Sequence, residues 1–279
     1  MQLRLGPRTL NLDRPQVMGV LNITPDSFSD GGRFLQVDAA VRQAECMQAE
    51  GAAIIDVGGE STRPGAERIS EGEELDRVVP VIESISACSD VSISIDTSRP
   101  AVMRAAVAAG AVMINDVYAL RQEGAMEVAN QLGTAVCLVH MQGEPGTMQH
   151  KPEYKDIPGD ILEFLSQRLA ACRNAGIEPD RIAIDPGFGF GKTHEHNVRL
   201  LAKLERFRDL EMPLLVGLSR KSTLGYLTGK GEEHRLAPGI AAAVMAVERG
   251  ANIVRTHDVE PTVDALKIVH AVMQSGKNQ

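Results

Sequence analysis

The chain alternates short apolar, β-branched runs with longer amphipathic stretches. Eight runs stand out, at 17–23, 53–57, 91–95, 112–114, 135–139, 181–184, 214–217 and 252–255. Each is brief and apolar at nearly every position, as a parallel strand covered on both faces must be. Between them, residues 37–50, 73–88, 100–109, 161–175 and 237–249 space their apolar side chains as helices do. Pro100 stands at a helix-opening position, and Gly51, Gly110, Gly176 and Gly250 follow closing turns. Neighbouring runs are separated by at least the dozen or so residues that a parallel crossover needs. Eight such units in 279 residues predict a single α/β domain, a (β/α)8 TIM barrel, in preference to an open doubly wound sheet. Residues 2–12 follow a different rule. Leu3 and Leu5 alternate with polar residues, Gly6-Pro7 turns the chain, and Leu10 and Leu12 alternate again. This pattern predicts a short β-hairpin within residues 1–16, ahead of a barrel over 17–275 and placed to close its base.

Composition narrows the function. Hydrophobic residues make up 43% and charged residues 24% of the chain, the balance of a soluble globular protein. Lys and Arg total 29 against 37 Asp and Glu, a net charge of -8. A non-specific nucleic-acid binder shows the opposite balance, so no nucleic-acid partner is expected. No apolar run approaches a bilayer span, and Met1–Leu12, with Arg4, Arg8 and Asn11, lacks the apolar core of a signal peptide, so no membrane partner is expected. Cys46, Cys88, Cys137 and Cys172 lie far apart with no Cys-x-x-Cys. Such thiols suit a reducing compartment better than a disulfide or zinc framework, and the protein is expected to be cytoplasmic.

Polar residues close all eight apolar runs: Asn22, Asp56, Asp96, Asn115, His140, Asp185, Ser219 and Arg255. Helix capping explains any one of them equally well. All eight on the rim where a barrel carries its active site point instead to a ligand. The loops at 22–32 and 58–66 are long and rich in turn residues, as lids are. Phe28, in a chain with only 6 Phe and 3 Tyr, is expected to be buried or to cover a substrate. The stretch 185–193 misses a P-loop by one position, because Pro186 stands where the leading glycine belongs, and no G-x-G-x-x-G opens the first helix. Its glycines are expected to let backbone approach a flat ligand, with Phe188 or Phe190 beside it. Ser219-Arg220-Lys221-Ser222 and Arg255-Thr256-His257 gather cations on an acidic protein, which predicts an anionic group such as phosphate. Arg220 taken alone reads as a solvated charge; Arg255, ending an apolar strand, does not. His194-Glu195-His196 reads as a solvated helix start, since i and i+2 do not share a helical face. With no G-x-S-x-G and no H-E-x-x-H, nucleophilic hydrolysis and zinc chemistry are not expected.

Seven motifs follow one another in order. They are Gly-Val-Leu-Asn-Ile-Thr-Pro-Asp-Ser-Phe-Ser-Asp-Gly-Gly (19–32), Asp-Val-Gly-Gly-Glu-Ser-Thr-Arg-Pro-Gly (56–65), Ser-Ile-Asp-Thr (94–97), Ile-Asn-Asp-Val (114–117), Asp-Pro-Gly-Phe-Gly-Phe-Gly-Lys (185–192), Gly-Leu-Ser-Arg-Lys-Ser (217–222) and Arg-Thr-His-Asp-Val (255–259). Together they resemble the dihydropteroate synthase family over essentially the whole chain. The resemblance implies a Mg2+-dependent, usually homodimeric transferase of folate biosynthesis with a (β/α)8 barrel. It would join (7,8-dihydropterin-6-yl)methyl diphosphate to 4-aminobenzoate, release pyrophosphate, and be inhibited by sulfonamides that mimic the amine. It implies that Asp96, Asn115 and Asp185 read the donor edge of the pterin and that Lys221 contacts its carbonyl side, with Phe190 beside the substrate. Asn22 matches the family's magnesium-associated residue, and Thr62, Arg255 and His257 match diphosphate-binding positions. Phe28, Arg63, Pro64 and Ser222 match the lining of the aminobenzoate pocket. Asp96, Lys221 and Arg255 would be the catalytic groups, acting on a dissociative route through a pterin-methyl cation. Two other readings share the pterin pocket: a non-catalytic pterin-binding protein, and a pterin-binding domain used in methyl transfer.

Overall fold

Most residues of these strands are apolar, and the sequence therefore largely conceals which residues face inward. The computed structural model, which describes residues 1–23, 33–60, 68–144 and 146–276, makes the facing explicit. β1 (Gln2–Leu5) and β2 (Arg8–Asn11) pair antiparallel, Leu3 opposite Leu10. Eight parallel strands follow: β3 (Gln16–Asn22), β4 (Ile54–Gly58), β5 (Ser92–Asp96), β6 (Met113–Asp116), β7 (Ala135–Val139), β8 (Ile182–Asp185), β9 (Leu215–Gly217) and β10 (Ile253–Thr256). Their order is β8-β7-β6-β5-β4-β3-β10-β9. The two ends of that row meet where Ile184 bridges Leu214 and the Ile184 amide donates to the Pro213 carbonyl at 2.9 Å. The sheet therefore curls into the expected barrel, and each strand lies within one or two residues of its predicted place.

Helices α1 (Arg33–Ala49), α2 (Glu71–Cys88), α3 (Pro100–Ala109), α4 (Ala125–Leu132), α5 (Ile157–Asn174), α6 (His194–Ala202), α7 (Ser222–Thr228), α8 (Leu236–Glu248) and α9 (Val259–Ser275) follow strands β3 to β10 in turn, with α7 and α8 both after β9. Local chemistry sets their starts. The Ser70 hydroxyl accepts from the Glu73 amide, and Glu71, Glu73 and Glu74 place negative charge on the positive end of α2. Pro100 opens α3, as predicted. α7 and α9 escape a one-face pattern because Tyr226, Leu227, Ile268 and Val272 are apolar yet exposed.

Two cores result. Outward-facing residues such as Leu21, Ile55, Ile95, Ile114, Val136 and Ile184 pack against the helices. Inward-facing residues at the strand beginnings, Met18, Ile54, Met113, Ala135, Leu215 and Ile253, form a second core with Leu3, Leu5 and Leu12 of the hairpin segment. The hairpin thus seals the base, and the opposite end of the barrel is left to carry the polar groups. Among the described residues no helix is long and apolar enough to cross a membrane.

Candidate active site

Side chains alternate along each strand, so the inward positions above the apolar base are fixed by register. Asp56 pairs across with Ser94, and Asp96 with Asn115. The inward layer of these strands therefore turns from Ile54 and Met113 to Asp56, Ser94 and Asn115 two residues later. Asp185 and Arg255 extend it on β8 and β10, and Asn22 and Asp96 rise to the rim. Asp56, Ser94, Asn115 and Asp185 are buried, a placement that costs free energy unless each finds a partner. Arg255 supplies much of the pairing. Its Nε donates to Asp56 Oδ2 at 2.6 Å, and a terminal nitrogen donates to Asp96 Oδ2 at 2.9 Å. Asn115 Nδ2 donates to the same Asp56 oxygen at 3.1 Å, and the Gly187 amide donates to Asp185 Oδ1 at 2.7 Å. Three buried oxygens of this layer have no hydrogen-bond partner among the described residues: Asp56 Oδ1, Ser94 Oγ and Asn115 Oδ1. An unsatisfied buried group costs about 1–3 kcal/mol, so a ligand bringing donors to this layer gains what the fold forgoes.

The electrostatics follow from the same burial. Desolvation pushes the Asp96 carboxyl up to about 7; Arg255 pulls it down and Asp56 pushes it up further. Burial also raises Asp185, against Lys221 and the Gly187 amide. It lowers the Lys221 ammonium to about 8, with Asp185 resisting. Burial disfavours the charge on Arg255 as well, but Asp56 and Asp96 outweigh it and hold the guanidinium above its ordinary value.

The turn after β8 shapes the opposite wall. Gly187 and Gly191 have φ of +68° and +62°, and an added Cβ would lie 1.8 Å from the His140 carbonyl oxygen and 2.3 Å from that of Gln142. Only glycine permits so close a backbone approach there. Phe188 is buried in the outer core, whereas Phe190 lies under Lys221, whose Nζ is 4.6 Å from the ring centroid. Of the two aromatics that the sequence left open, Phe190 is thus the one beside the mouth. Lys221 Nζ also donates to the Phe188 carbonyl. Lys192 does not reach outward as a P-loop lysine would: its side chain is buried, with Nζ donating to the carbonyls of Gly187 at 2.8 Å and Phe190 at 3.0 Å.

The structure brings Asp96, Asn115, Asp185, Phe190, Lys221 and Arg255 together at the carboxyl ends of the strands. Asn22 joins them at the rim: its Oδ1 and Asp96 Oδ2 lie 3.5 and 4.0 Å from where a Cβ on Gly58 would stand. His257 meets Ser219 beyond the ends of β10 and β9, its ring Nδ1 3.1 Å from the hydroxyl. Ser222 opens α7 and is exposed. Arg220, read alone as a solvated charge, is instead bound to Asp258 at 2.6 Å. His194 and His196 begin α6, where His196 completes a capping box with Thr193 and His194 stacks on Tyr226. Phe28, Thr62, Arg63 and Pro64 lie outside the described residues. Ahead of α2, Arg99 donates to the Ile69 carbonyl at 2.6 Å, and within that helix to Glu74 at 2.7 Å. Sequence reasoning counted Asp56 among the polar strand ends pointing to a ligand without giving it a role of its own, and gave none to Lys192. Asp56 was visible as an acid closing an apolar run, but its place inside β4 and facing inward was not; nothing in the sequence marked Lys192 as buried.

Comparison with known proteins agrees with this arrangement. The family model described as pterin binding enzyme matches residues 18–257. The chain is 48% identical over 279 residues to the dihydropteroate synthase of Escherichia coli (strain K12), covering 100% of this chain and 99% of that one. Among solved structures, Yersinia pestis dihydropteroate synthase with a sulfonamide drug complex superposes with a TM-score of 0.94 at 50% identity, covering 98% of this chain and 100% of that one. Xanthomonas albilineans dihydropteroate synthase with 4-aminobenzoic acid gives 0.92 at 50% identity, covering 98% of each chain. The same enzyme in complex with 7,8-dihydropteroate gives 0.89 at 47%, covering 98% and 99%.

Proposed function

The chain belongs to the pterin binding enzymes and, among them, to the dihydropteroate synthases, and from that premise we propose that it condenses (7,8-dihydropterin-6-yl)methyl diphosphate with 4-aminobenzoate. The products are 7,8-dihydropteroate and pyrophosphate, a step of folate biosynthesis. The observation that carries this reading is the buried acceptor layer. A pterin presents an amino group and ring N–H donors along one edge, and Asp56 Oδ1, Ser94 Oγ and Asn115 Oδ1 lie beside Asp185 and Asp96 with hydrogen-bonding capacity unspent.

In this reading Asp185 and Asn115 accept from the pterin edge, and Lys221 donates to its carbonyl side. Phe190, under the Lys221 ammonium, offers its ring to the flat heterocycle. The bond between the pterin methylene and the diphosphate oxygen breaks with its electron pair leaving on oxygen. The amine lone pair forms the new C–N bond, and the nitrogen then sheds a proton. Arg255 and His257 stabilise the charge that grows on the departing diphosphate, which is electrostatic rather than covalent catalysis. If the C–O bond breaks first, the Asp96 carboxylate faces the pterin-methyl cation and lowers its energy. Thr62 is assigned to the diphosphate, and Phe28, Arg63, Pro64 and Ser222 to the aminobenzoate side, where sulfonamides would compete.

Mg2+ prefers oxygen donors and commonly binds through one or two protein oxygens together with substrate phosphates. The Asn22 amide oxygen, close to Asp96 across the bare face of Gly58, fits that use. Among the described residues there is no cluster of three or more His, Cys, Asp or Glu able to hold an ion, which suits a cation held largely by substrate. Bound there, the ion would neutralise diphosphate charge. Exposed Tyr226, Leu227, Leu236, Met245, Ile268 and Val272 on α7, α8 and α9 support a homodimer packed through these late helices. Four free cysteines support a cytoplasmic location.

Chromatographic detection of dihydropteroate from both substrates with Mg2+ tests the proposal. Product from the wild type that disappears in Asp185→Asn is the expected result. A folded wild type that yields no product would refute it.

A further inference from the structure

Lys192 is the most deeply buried Lys or Arg side chain among the described residues, at 2% exposure, and the chemistry above makes no use of it. Its nitrogen is nevertheless fully engaged. It donates to the Gly187 and Phe190 carbonyls at 2.8 and 3.0 Å and lies 2.9 Å from His140 Nδ1. Those contacts tie three points of the turn after β8, Gly187, Phe190 and Lys192 itself, to the root of the β7–α5 connection at His140. Between Gly187 and Phe190 the turn presents the Phe188 carbonyl, which accepts from Lys221 Nζ. At Gly189 a Cβ would lie 3.2 Å from Lys221 Cδ, so the same turn is the wall against which the lysine stem rests. Tyr154 secures the far end by donating to the Gly191 carbonyl at 2.8 Å.

Burying an amine is expensive unless its hydrogen bonds are worth the desolvation. Burial drives Lys192 well below its ordinary value and takes His140 down to about 2, which leaves the imidazole neutral beside the amine. A surface turn needing only a stable shape has no use for such a group. A turn that must hold one carbonyl at a fixed point under a substrate-binding ammonium does.

We propose that Lys192 is a positioning residue for the pterin diphosphate: it fixes the 186–191 turn so that the Phe188 carbonyl and the Phe190 ring hold Lys221 in its substrate-binding direction. The inference rests on the reading of this pocket as the pterin site.

Lys192→Met keeps the length of the side chain and removes its donors. Its affinity for the pterin diphosphate, measured by calorimetry, is expected to fall about tenfold, the scale of one buried hydrogen bond, while the KM for 4-aminobenzoate changes less than about twofold. Because the effect runs through Lys221, adding Lys192→Met to Lys221→Met should cost less than about twofold more. Losses that multiply in the double variant would overturn the proposal. So would a lower melting temperature with pterin affinity intact. Should Lys192→Met not fold, His140→Leu removes one of the three contacts and is expected to give a smaller loss with the same selectivity and the same non-additivity. An unselective or additive His140→Leu would overturn the proposal equally. A folded wild type that fails to bind the pterin diphosphate would refute the assignment of the pocket instead, which separates the two failures.

Discussion

Arg255 stands between two carboxylates that repel each other, and one fork of nitrogens satisfies both. Removing it as Arg255→Met leaves Asp56 and Asp96 buried without their cation, and denaturant unfolding should show a loss of about 3–5 kcal/mol. Arg255→Lys should recover little, since a single ammonium does not reproduce the planar fork. Two shifted groups make the pH dependence specific. The Asp96 carboxyl loses its proton near 7 and the Lys221 ammonium near 8. If the site needs carboxylate and ammonium together, kcat/KM for the pterin diphosphate rises through about pH 7 and falls through about pH 8. Lys221→Arg should keep the acid limb and lose the alkaline one; an unchanged alkaline limb would refute the assignment. For stability the sign is opposite to that of an ordinary ion-paired acid. A raised carboxyl binds its proton more tightly in the folded state, so its contribution is whole below the usual carboxylate range and is lost as pH rises through about 7. The melting temperature of Asp96→Asn relative to wild type should therefore increase between about pH 5 and about pH 8.

Strands and turns decide where those residues point. All eight barrel strands were legible because a strand covered on both faces needs an unbroken apolar run, and such runs separated by helical spacing have few alternatives. That same continuity hid the facing. With apolar residues on both sides, nothing in Ile54–Gly58 distinguishes inward from outward, so Asp56 read as a strand end although it lies two residues inside β4. Asp96 and Asp185, which do end their strands, were placed correctly. The glycines of 185–193 marked a backbone held close to something, but that something is partly the carbonyl of His140, remote in sequence. Gly187→Ala tests that contact. Left-handed strain and a Cβ forced onto a carbonyl together should cost about 2–5 kcal/mol and weaken pterin binding. An alanine variant of wild-type stability and affinity would mean that the turn is not held against β7.

Across the whole molecule, polarity is divided between the two ends of the barrel. The hairpin and the apolar base anchor one end, and the acids, Arg255 and Lys221 occupy the other. The late helices carry a third surface, whose exposed Ile268 and Val272 blurred the pattern of α9 because they serve no internal core. Sedimentation should give twice the mass of one chain, and Ile268→Glu combined with Val272→Glu should halve it; a wild type that sediments as a monomer would contradict the dimer. The central claim concerns the reaction itself. The most direct test is pyrophosphate release from the pterin diphosphate with Mg2+, measured with and without 4-aminobenzoate. Pyrophosphate appearing mole for mole with dihydropteroate when the amine is present is the predicted result. Slower release without the amine would reveal a cation that water can trap. Tight pterin binding with no pyrophosphate under either condition would contradict the account and leave a binding protein in the shape of an enzyme.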